Sequence, residues 1–133
     1  MNPVEQALEQ LRQALVEFVL LLEREASALT EGRTDDLPAI IAEKTRWSET
    51  ANKAWNHLVV ASGIDTGKGE SLDALLSGTP ALQSAWRDVR QLAEQAERIN
   101  LVNSTLIEAQ LQRTRQALDV LQSAASRSAL YGA

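Results

Sequence analysis

Residues 80–126 read PALQSAWRDVRQLAEQAERINLVNSTLIEAQLQRTRQALDVLQSAAS and contain no glycine and, after Pro80, no proline. Because these two residue types interrupt helices, their absence predicts a single unbroken helix. At about 100° per residue, its apolar residues share one broad stripe, whose second half is interrupted by Asn103, Gln110 and Thr114. A helix of this length extends for about 70 Å, further than the rest of so small a chain covers. We therefore expect another partner to cover the remainder of the stripe.

The composition favours one helical domain over residues 1–133. Of the 133 residues, 44% are hydrophobic, which is enough for one core and little more. The chain has no cysteine, which excludes disulfides and thiolate chemistry. Residues 1–79 carry 13 acidic and 7 basic residues, and residues 80–133 carry 5 acidic and 6 basic residues. No part of the chain is therefore basic enough to indicate a nucleic-acid partner.

Neither a membrane span nor an export signal is predicted. The apolar run Phe18–Leu22 is five residues long and is flanked by Glu17 and Glu23, whereas a membrane span needs about 20 apolar residues. The N-terminus lacks the basic start and the small-residue cleavage site of a secretory signal. We expect no membrane insertion and a cytoplasmic location.

The first half of the chain predicts two helices. Asn2 and Pro3 provide a cap and a proline at the first helical position, so a first helix is expected over about 3–30. Its apolar residues recur at alternating steps of four and three, which is a heptad seam that skips only the position of Glu25. The seam consists of Val4, Leu8, Leu11, Leu15, Phe18, Leu22 and Leu29. Residues 31–36 should stop this helix and cap a second one over about 37–60. The apolar side of the second helix consists of Leu37, Ile40, Ile41, Trp47, Ala51, Ala54, Trp55 and Leu58.

The second half of the chain begins with a flexible connection. Residues 61–71 contain three glycines and predict a hinge or loop. Ser71 is expected to cap a short helix over 72–77, and Gly78 to close it. Thr79 and Pro80 then repeat the cap-plus-proline start for the long helix over 80–126.

These elements predict an all-α fold without strands. The short turn after the first helix predicts an antiparallel helical hairpin, with the long C-terminal helix packed along it. The result would be an elongated three-helix bundle, coiled-coil-like, beyond which the last helix overhangs. Trp47, Trp55 and Trp86 are expected to pack in the core, although Trp86 lies near the edge of the long stripe and an interface role stays open for it.

No catalytic or metal site is predicted. Residues 63–68 resemble a phosphate-binding loop only loosely, because Ser62 stands where the motif needs its first glycine and Gly69 where it needs a hydroxyl. His57 is the only histidine, and a helical di-metal site needs Glu-x-x-His pairs from two helices. No serine or threonine has an identifiable histidine partner. We therefore expect no enzyme activity, no cofactor and no metal.

The polar residues within the long stripe have two explanations. A buried carboxamide without a partner costs a few kcal/mol, so Asn103 and Gln110 must find hydrogen-bond partners or stay partly hydrated. In paired helices, one such residue fixes register and partner choice. Alternatively, this face is simply less buried towards the end of the chain.

The segment RINLVNSTLI (98–107), followed by Ala117-Leu118 and ending near Tyr131-Gly132, resembles the FlgN family of flagellar export chaperones. The resemblance covers nearly the whole chain, and the Asn-x-x-Asn-x-x-Leu-Ile element with the terminal Tyr-Gly is its specific part. It implies a cytoplasmic chaperone that binds hook-associated proteins and brings them to the flagellar type III export gate. In this family the C-terminal helical region binds the terminal segment of the client.

The resemblance also implies where these partners bind. Tyr131 matches the tyrosine near the C-terminus that is associated with export-gate docking. The resemblance places Asn100, Asn103, Leu106, Ile107, Leu118 and Leu121 in the client-binding region, and Gln110 and Thr114, which interrupt the same stripe, complete the expected client-binding set. Two other protein classes remain open: a structural homodimer in which the overhang pairs with a second copy and no client exists, and a metal protein or enzyme built in the core of a bundle.

Overall fold

The computed structural model describes residues 2–65, 67, 69 and 71–131, and for residues 128–131 it describes the backbone only. Four α-helices follow one another: α1 (Pro3–Glu31), α2 (Leu37–Ser62), α3 (Leu72–Ser77) and α4 (Pro80–Tyr131). A short 3-10 helix, Thr34–Asp36, precedes α2, and no strand occurs among these described residues. The predicted all-α fold is thus confirmed. The last helix extends to Tyr131, five residues beyond its expected end.

The start of α1 follows its sequence signals. The amide N–H of Glu5 donates to Oδ1 of Asn2 at 2.8 Å, and Asn2 Nδ2 donates back to the Glu5 carboxylate at 3.2 Å. At the other end, Gly32 adopts a left-handed conformation with φ of 71°, and its N–H bonds to the carbonyl of Ala28. Only glycine adopts this conformation without steric cost, so Gly32 ends the helix and turns the chain into the hairpin.

Two predicted capping residues, Asp36 and Thr79, stand at the expected helix starts, but their side chains bond elsewhere. Asp36 makes no side-chain cap bond to α2 and instead accepts a hydrogen bond from Arg33 at 2.8 Å. The hydroxyl of Thr79 donates to the carbonyl of Leu75 at 2.8 Å, so it belongs to the end of α3. In both cases a neighbouring donor or acceptor competes for the short polar side chain. The cap of α3 is as predicted, because Ser71 Oγ accepts from the N–H of Ala74 at 3.3 Å.

Helix α1 lies at the centre of the molecule and packs along both α2 and α4. Two clusters of buried side chains result. The larger one joins the first half of α1 to the end of α2, to α3 and to the start of α4, and it consists of Ala7, Leu8, Leu11, Ala54, Leu58, Leu72, Leu76, Leu82, Trp86 and Val89. The smaller one, further along α1, joins Val19 and Leu22 to Ala96. The core therefore narrows along α4, and Ala96 is the last buried apolar residue of this helix.

The tryptophans divide between core and surface, contrary to the expectation that all three are core residues. Trp86 is buried, and its Nε1–H donates to Asp73 of α3 at 2.8 Å. Trp55 stacks on Trp86 with ring centroids 6.4 Å apart but stays 41% exposed at the edge of the core. Trp47 is half-buried beneath Arg46, whose guanidinium lies 5.4 Å from the ring centroid. Helix α2 packs mainly against α1, and Trp47 is only partly covered there.

The same arrangement explains why the predicted apolar side of α2 is only partly buried. Ala54 and Leu58, in its second half, are its buried residues, whereas Ile41 is 51% exposed. The second half of α2 meets the core in which α1, α3 and α4 converge. The first half borders an open groove towards α4.

Candidate binding surface

A buried polar cluster joins α1, α2 and α4 where the apolar core narrows. Glu25 of α1 is 2% exposed and accepts bonds from Lys44 of α2, whose Nζ lies 3.1 Å and 3.2 Å from the two carboxylate oxygens. Asn103 of α4 is 1% exposed, and its Nδ2 donates to Oε1 of Glu25 at 2.8 Å and to the carbonyl of Leu22 at 2.9 Å. Asn103 Oδ1 has no hydrogen-bond partner among the described residues. Glu25, which the heptad seam skips, is thus the residue on which three helices converge.

Gln110 repeats this contact one heptad further along. Its Nε2 donates to the carbonyl of Leu29 at 2.7 Å. The two carboxamides are seven residues apart, and each reaches a carbonyl 81 positions earlier in the chain. Helices α1 and α4 therefore run parallel in a constant register, and both carboxamides mark the side of α4 that faces α1.

Beyond Gln110, α4 leaves the rest of the molecule. We call residues 111–127 the distal segment. Every side chain in this segment is exposed. From Gln110 to Tyr131 the helix continues for about 30 Å at about 1.5 Å per residue. Several large apolar side chains lie on it without cover: Leu111, Leu118, Val120 and Leu121. Scattered exposed leucines are ordinary on a protein surface, but a contiguous apolar row indicates a binding site.

The three leucines among these residues form, with Ile107 and Thr114, a row that continues the buried face of α4. Ile107, Leu111, Thr114, Leu118 and Leu121 follow one another at alternating steps of four and three, which keeps them on one face of a helix. We call this row the distal stripe. Its apolar members are between 40% and 64% exposed. The charged residues of the distal segment, Arg113, Arg115, Asp119 and Arg127, lie outside the row.

Two grooves flank α4 where it still contacts the bundle. One, of about 350 Å³, lies towards α2 and is lined by Phe18, Lys44, Thr45, Ser48, Glu49 and Asn100. The other, of about 330 Å³, lies on the opposite flank and is lined by Glu23, Ala26, Arg98, Ile99 and Val102. Ile107 and Leu118 follow Asn100 at 7 and 18 residues, so at 3.6 residues per turn these members of the distal stripe continue the α2 flank, whereas Leu121, 18 residues after Asn103, continues the side that faces α1. Val120 follows Val102 at 18 residues and continues the opposite flank.

The structure distributes the expected client-binding residues over three environments. Asn103 is buried and Gln110 is half-buried, and both bond to α1. Leu106 is half-buried. The exposed members are Asn100, Ile107, Thr114, Leu118 and Leu121. The side chain of Tyr131, the expected gate-docking residue, lies outside the described residues.

Sequence reasoning missed two features of this surface. Leu111, half exposed within the distal stripe, was overlooked because it lies at the margin of the broad stripe drawn for the whole helix, although its spacing from Ile107 and Leu118 signals it. The pairing of Glu25 with Lys44 was also missed. Its signal was the polar residue in an otherwise apolar heptad position, which a buried carboxylate occupies only if a cation or donor reaches it.

A larger groove of about 590 Å³ lies between α1 and α2, lined by charged residues such as Arg24, Arg33 and Glu43. His57 is exposed on α2, beside a groove with Pro3 and Gln10. In the described residues there is no group of three or more histidine and carboxylate side chains that could hold a metal ion. Within the same residues, none of the helices combines the length and the hydropathy needed to cross a membrane.

Comparison with known proteins gives one match. A family model described as "FlgN protein" matches residues 1–133. No curated protein and no solved structure matches the chain. The family match agrees with the resemblance carried by residues 98–107 and confirms that prediction. Because the family model covers all of residues 1–133, the protein belongs to the FlgN family, a family of flagellar export chaperones.

Proposed function

We propose that this protein is a cytoplasmic export chaperone that binds hook-associated proteins through their terminal helices and brings them to the flagellar export gate. The observation that carries the proposal is the uncovered distal stripe of α4. Its charge-free row of apolar side chains is suited to the apolar face of one further helix. Membership of a chaperone family supports an export client as the occupant.

The proposed client helix begins in the groove between α2 and α4 and continues along the distal stripe. Asn100 and Ile107 lie at the start of this path, where α2 provides a second wall. Leu111, Thr114, Leu118 and Leu121 follow on α4 alone, so the client would cover them from outside. The proposed contact surface consists of Asn100, Ile107, Leu111, Thr114, Leu118 and Leu121, and Leu106, which lies about 120° from Asn100 around α4, is proposed to support the surface without lining this path. Asn103 and Gln110 support it from beneath by holding α4 on α1.

The expected affinity contribution of the stripe follows from its exposure. Complete burial of a leucine side chain stabilises by about 1.5–3 kcal/mol. Because Leu118 and Leu121 are 51% and 64% exposed, each has about 1–1.5 kcal/mol left to gain from a client. Together they would change the dissociation constant by roughly 30- to 140-fold, at about 1.4 kcal/mol per factor of ten.

The test is a binding titration with a hook-associated protein and with a peptide of its terminal helix. The double variant Leu118→Ala/Leu121→Ala should raise the dissociation constant roughly 30- to 140-fold. Circular dichroism and thermal unfolding should stay unchanged, since both side chains are already exposed. Val120→Ala is the matched control. Val120 is 66% exposed, adjacent to Leu121 in sequence, and lies on the opposite flank of α4. Its replacement should change the dissociation constant by less than about twofold.

If Val120→Ala weakened client binding as much as the double variant does, the proposed flank would be contradicted. Unchanged client binding in the double variant would contradict the proposed surface. A homodimer is the other occupant that the stripe would accept. Sedimentation of a tight dimer, together with no binding to hook-associated proteins, would favour that alternative. Tyr131 is the proposed gate-docking residue. In the client titration Tyr131→Ala should therefore bind as the native protein does, whereas in a titration with export-gate protein it should lose binding.

A further inference from the structure

The orientation of α4 on the hairpin is not the one that apolar burial alone would select. At the level of the polar cluster, α4 buries Asn103, with 1% exposure, while Val102 and Ile107 on either side remain 55% and 40% exposed. A rotation of α4 about its own axis by roughly 40° would bring Ile107 to the position of the carboxamide, and one of roughly 100° in the opposite sense would bring Val102 there. Because apolar burial stabilises and an unpartnered polar atom such as Asn103 Oδ1 destabilises, hydrophobic burial favours such a rotation.

The polar contacts favour the observed orientation instead. Asn103 and Lys44 approach the same oxygen, Oε1 of Glu25, from two different helices. Hydrogen bonds of this kind depend on both distance and angle, so a rotated α4 could not keep them. Rotation would also leave the buried Glu25 carboxylate with one donor fewer, which is costly in a site shielded from water.

We infer that the cluster of Glu25, Lys44 and Asn103 fixes the rotation of α4 about its axis and thereby decides which flank of α4 faces α2. The apolar contacts of α4 become sparse beyond the smaller cluster, in which Ala96 is buried and Ile99 only partly buried, so the polar cluster is the next contact along α4 that can set its rotation. Paired helices use single buried polar residues in this way to select one arrangement among several of similar stability. The inference concerns the free protein and holds whether or not a client binds.

The absence of cysteine in the chain allows a direct distance measurement. Spin labels placed at Glu49→Cys on α2 and Ser104→Cys on α4, two exposed positions, report how the flank of α4 is turned towards α2. In the otherwise native protein we expect a single narrow distance distribution. In the all-apolar variant Glu25→Leu/Lys44→Met/Asn103→Leu, with helicity retained, we expect the distribution to broaden or to move by about 4 Å or more, the displacement that a rotation of about 40° gives at a helix surface about 5–6 Å from the axis.

Leu22→Met, an apolar replacement at the same level of α1, is the control and should leave the distribution unchanged. If the all-apolar variant keeps the narrow native distribution, the inference is overturned. If that variant loses its helicity, Asn103→Ala, which retains the pair of Glu25 and Lys44, takes its place. Broadened distances in Asn103→Ala support the inference, and native distances overturn it.

Discussion

Replacing Asn103 by alanine tests the energetic role of the buried cluster. The replacement removes one hydrogen bond to a backbone carbonyl, worth about 1 kcal/mol, and one to the Glu25 carboxylate, worth about 2–3 kcal/mol because its acceptor is charged. It also removes Oδ1, which is buried without a partner among the described residues, and the loss of this unsatisfied atom stabilises the fold by about 1 kcal/mol. We therefore expect Asn103→Ala to lower the free energy of unfolding by about 2–3 kcal/mol.

Asn100→Ala is the matched control for this experiment. Asn100 lies three residues earlier in the same helix but is exposed, and its side chain makes none of the described buried bonds. Both replacements gain the same helix propensity from alanine, so their difference isolates the buried contacts. Urea unfolding followed by far-ultraviolet circular dichroism is the suitable assay, because urea does not screen the charge of Glu25 as guanidinium does.

One result of comparing Asn103→Ala with Asn100→Ala would refute this stabilising role. If the two variants differ in unfolding free energy by less than about 0.5 kcal/mol, the level expected for surface changes, the bonds of Asn103 do not stabilise the fold and the reasoning is refuted. An unchanged urea dependence between the variants is required for the comparison, since a changed slope would report a different unfolded state.

Two further predictions concern other parts of the fold. Asp73→Ala should lower the free energy of unfolding by about 1–2 kcal/mol, because it leaves the indole N–H of the buried Trp86 without its acceptor, whereas Asp73→Asn keeps an oxygen and should cost less than half as much in urea unfolding. The hydrogen bonds from Arg12 lower the pKa of Glu9, so this pair stabilises the fold above the unfolded-state pKa and loses its effect as the pH falls through the folded-state pKa. The stability difference between Glu9→Gln and the native protein should therefore shrink from about pH 7 to about pH 3, and a difference that grows on acidification would contradict this assignment.

Local sequence signals predicted the helices well because these signals act over only a few residues. The cap at Asn2, the glycine at position 32 and the absence of breakers after Pro80 each determine a helix end or continuity without help from distant parts of the chain. At Asp36 and Thr79 the same signals placed the helix starts correctly, but a nearby donor or acceptor competes for the capping side chain. Heptad spacing likewise indicated that α1 and α4 pair with other helices.

The candidate surface was predictable in part. The length of α4 against the shorter hairpin predicted an overhang, and the distal segment is indeed uncovered. Sequence spacing could not separate Asn103 and Gln110, which turn towards α1, from Leu118 and Leu121, which have no neighbour. All four lie on one helical face, and whether such a residue is buried depends on where α1 ends.

The sequence by itself determined the all-α composition, the hairpin and a last helix longer than its companions, because helix propensity, caps and periodicity are properties of neighbouring residues. Only the tertiary structure decided that α1 is the central helix, that Glu25 is paired across three helices, and that one flank of α4 faces α2. Those features depend on residues as far apart as Leu22 and Asn103, which only packing brings within hydrogen-bond distance.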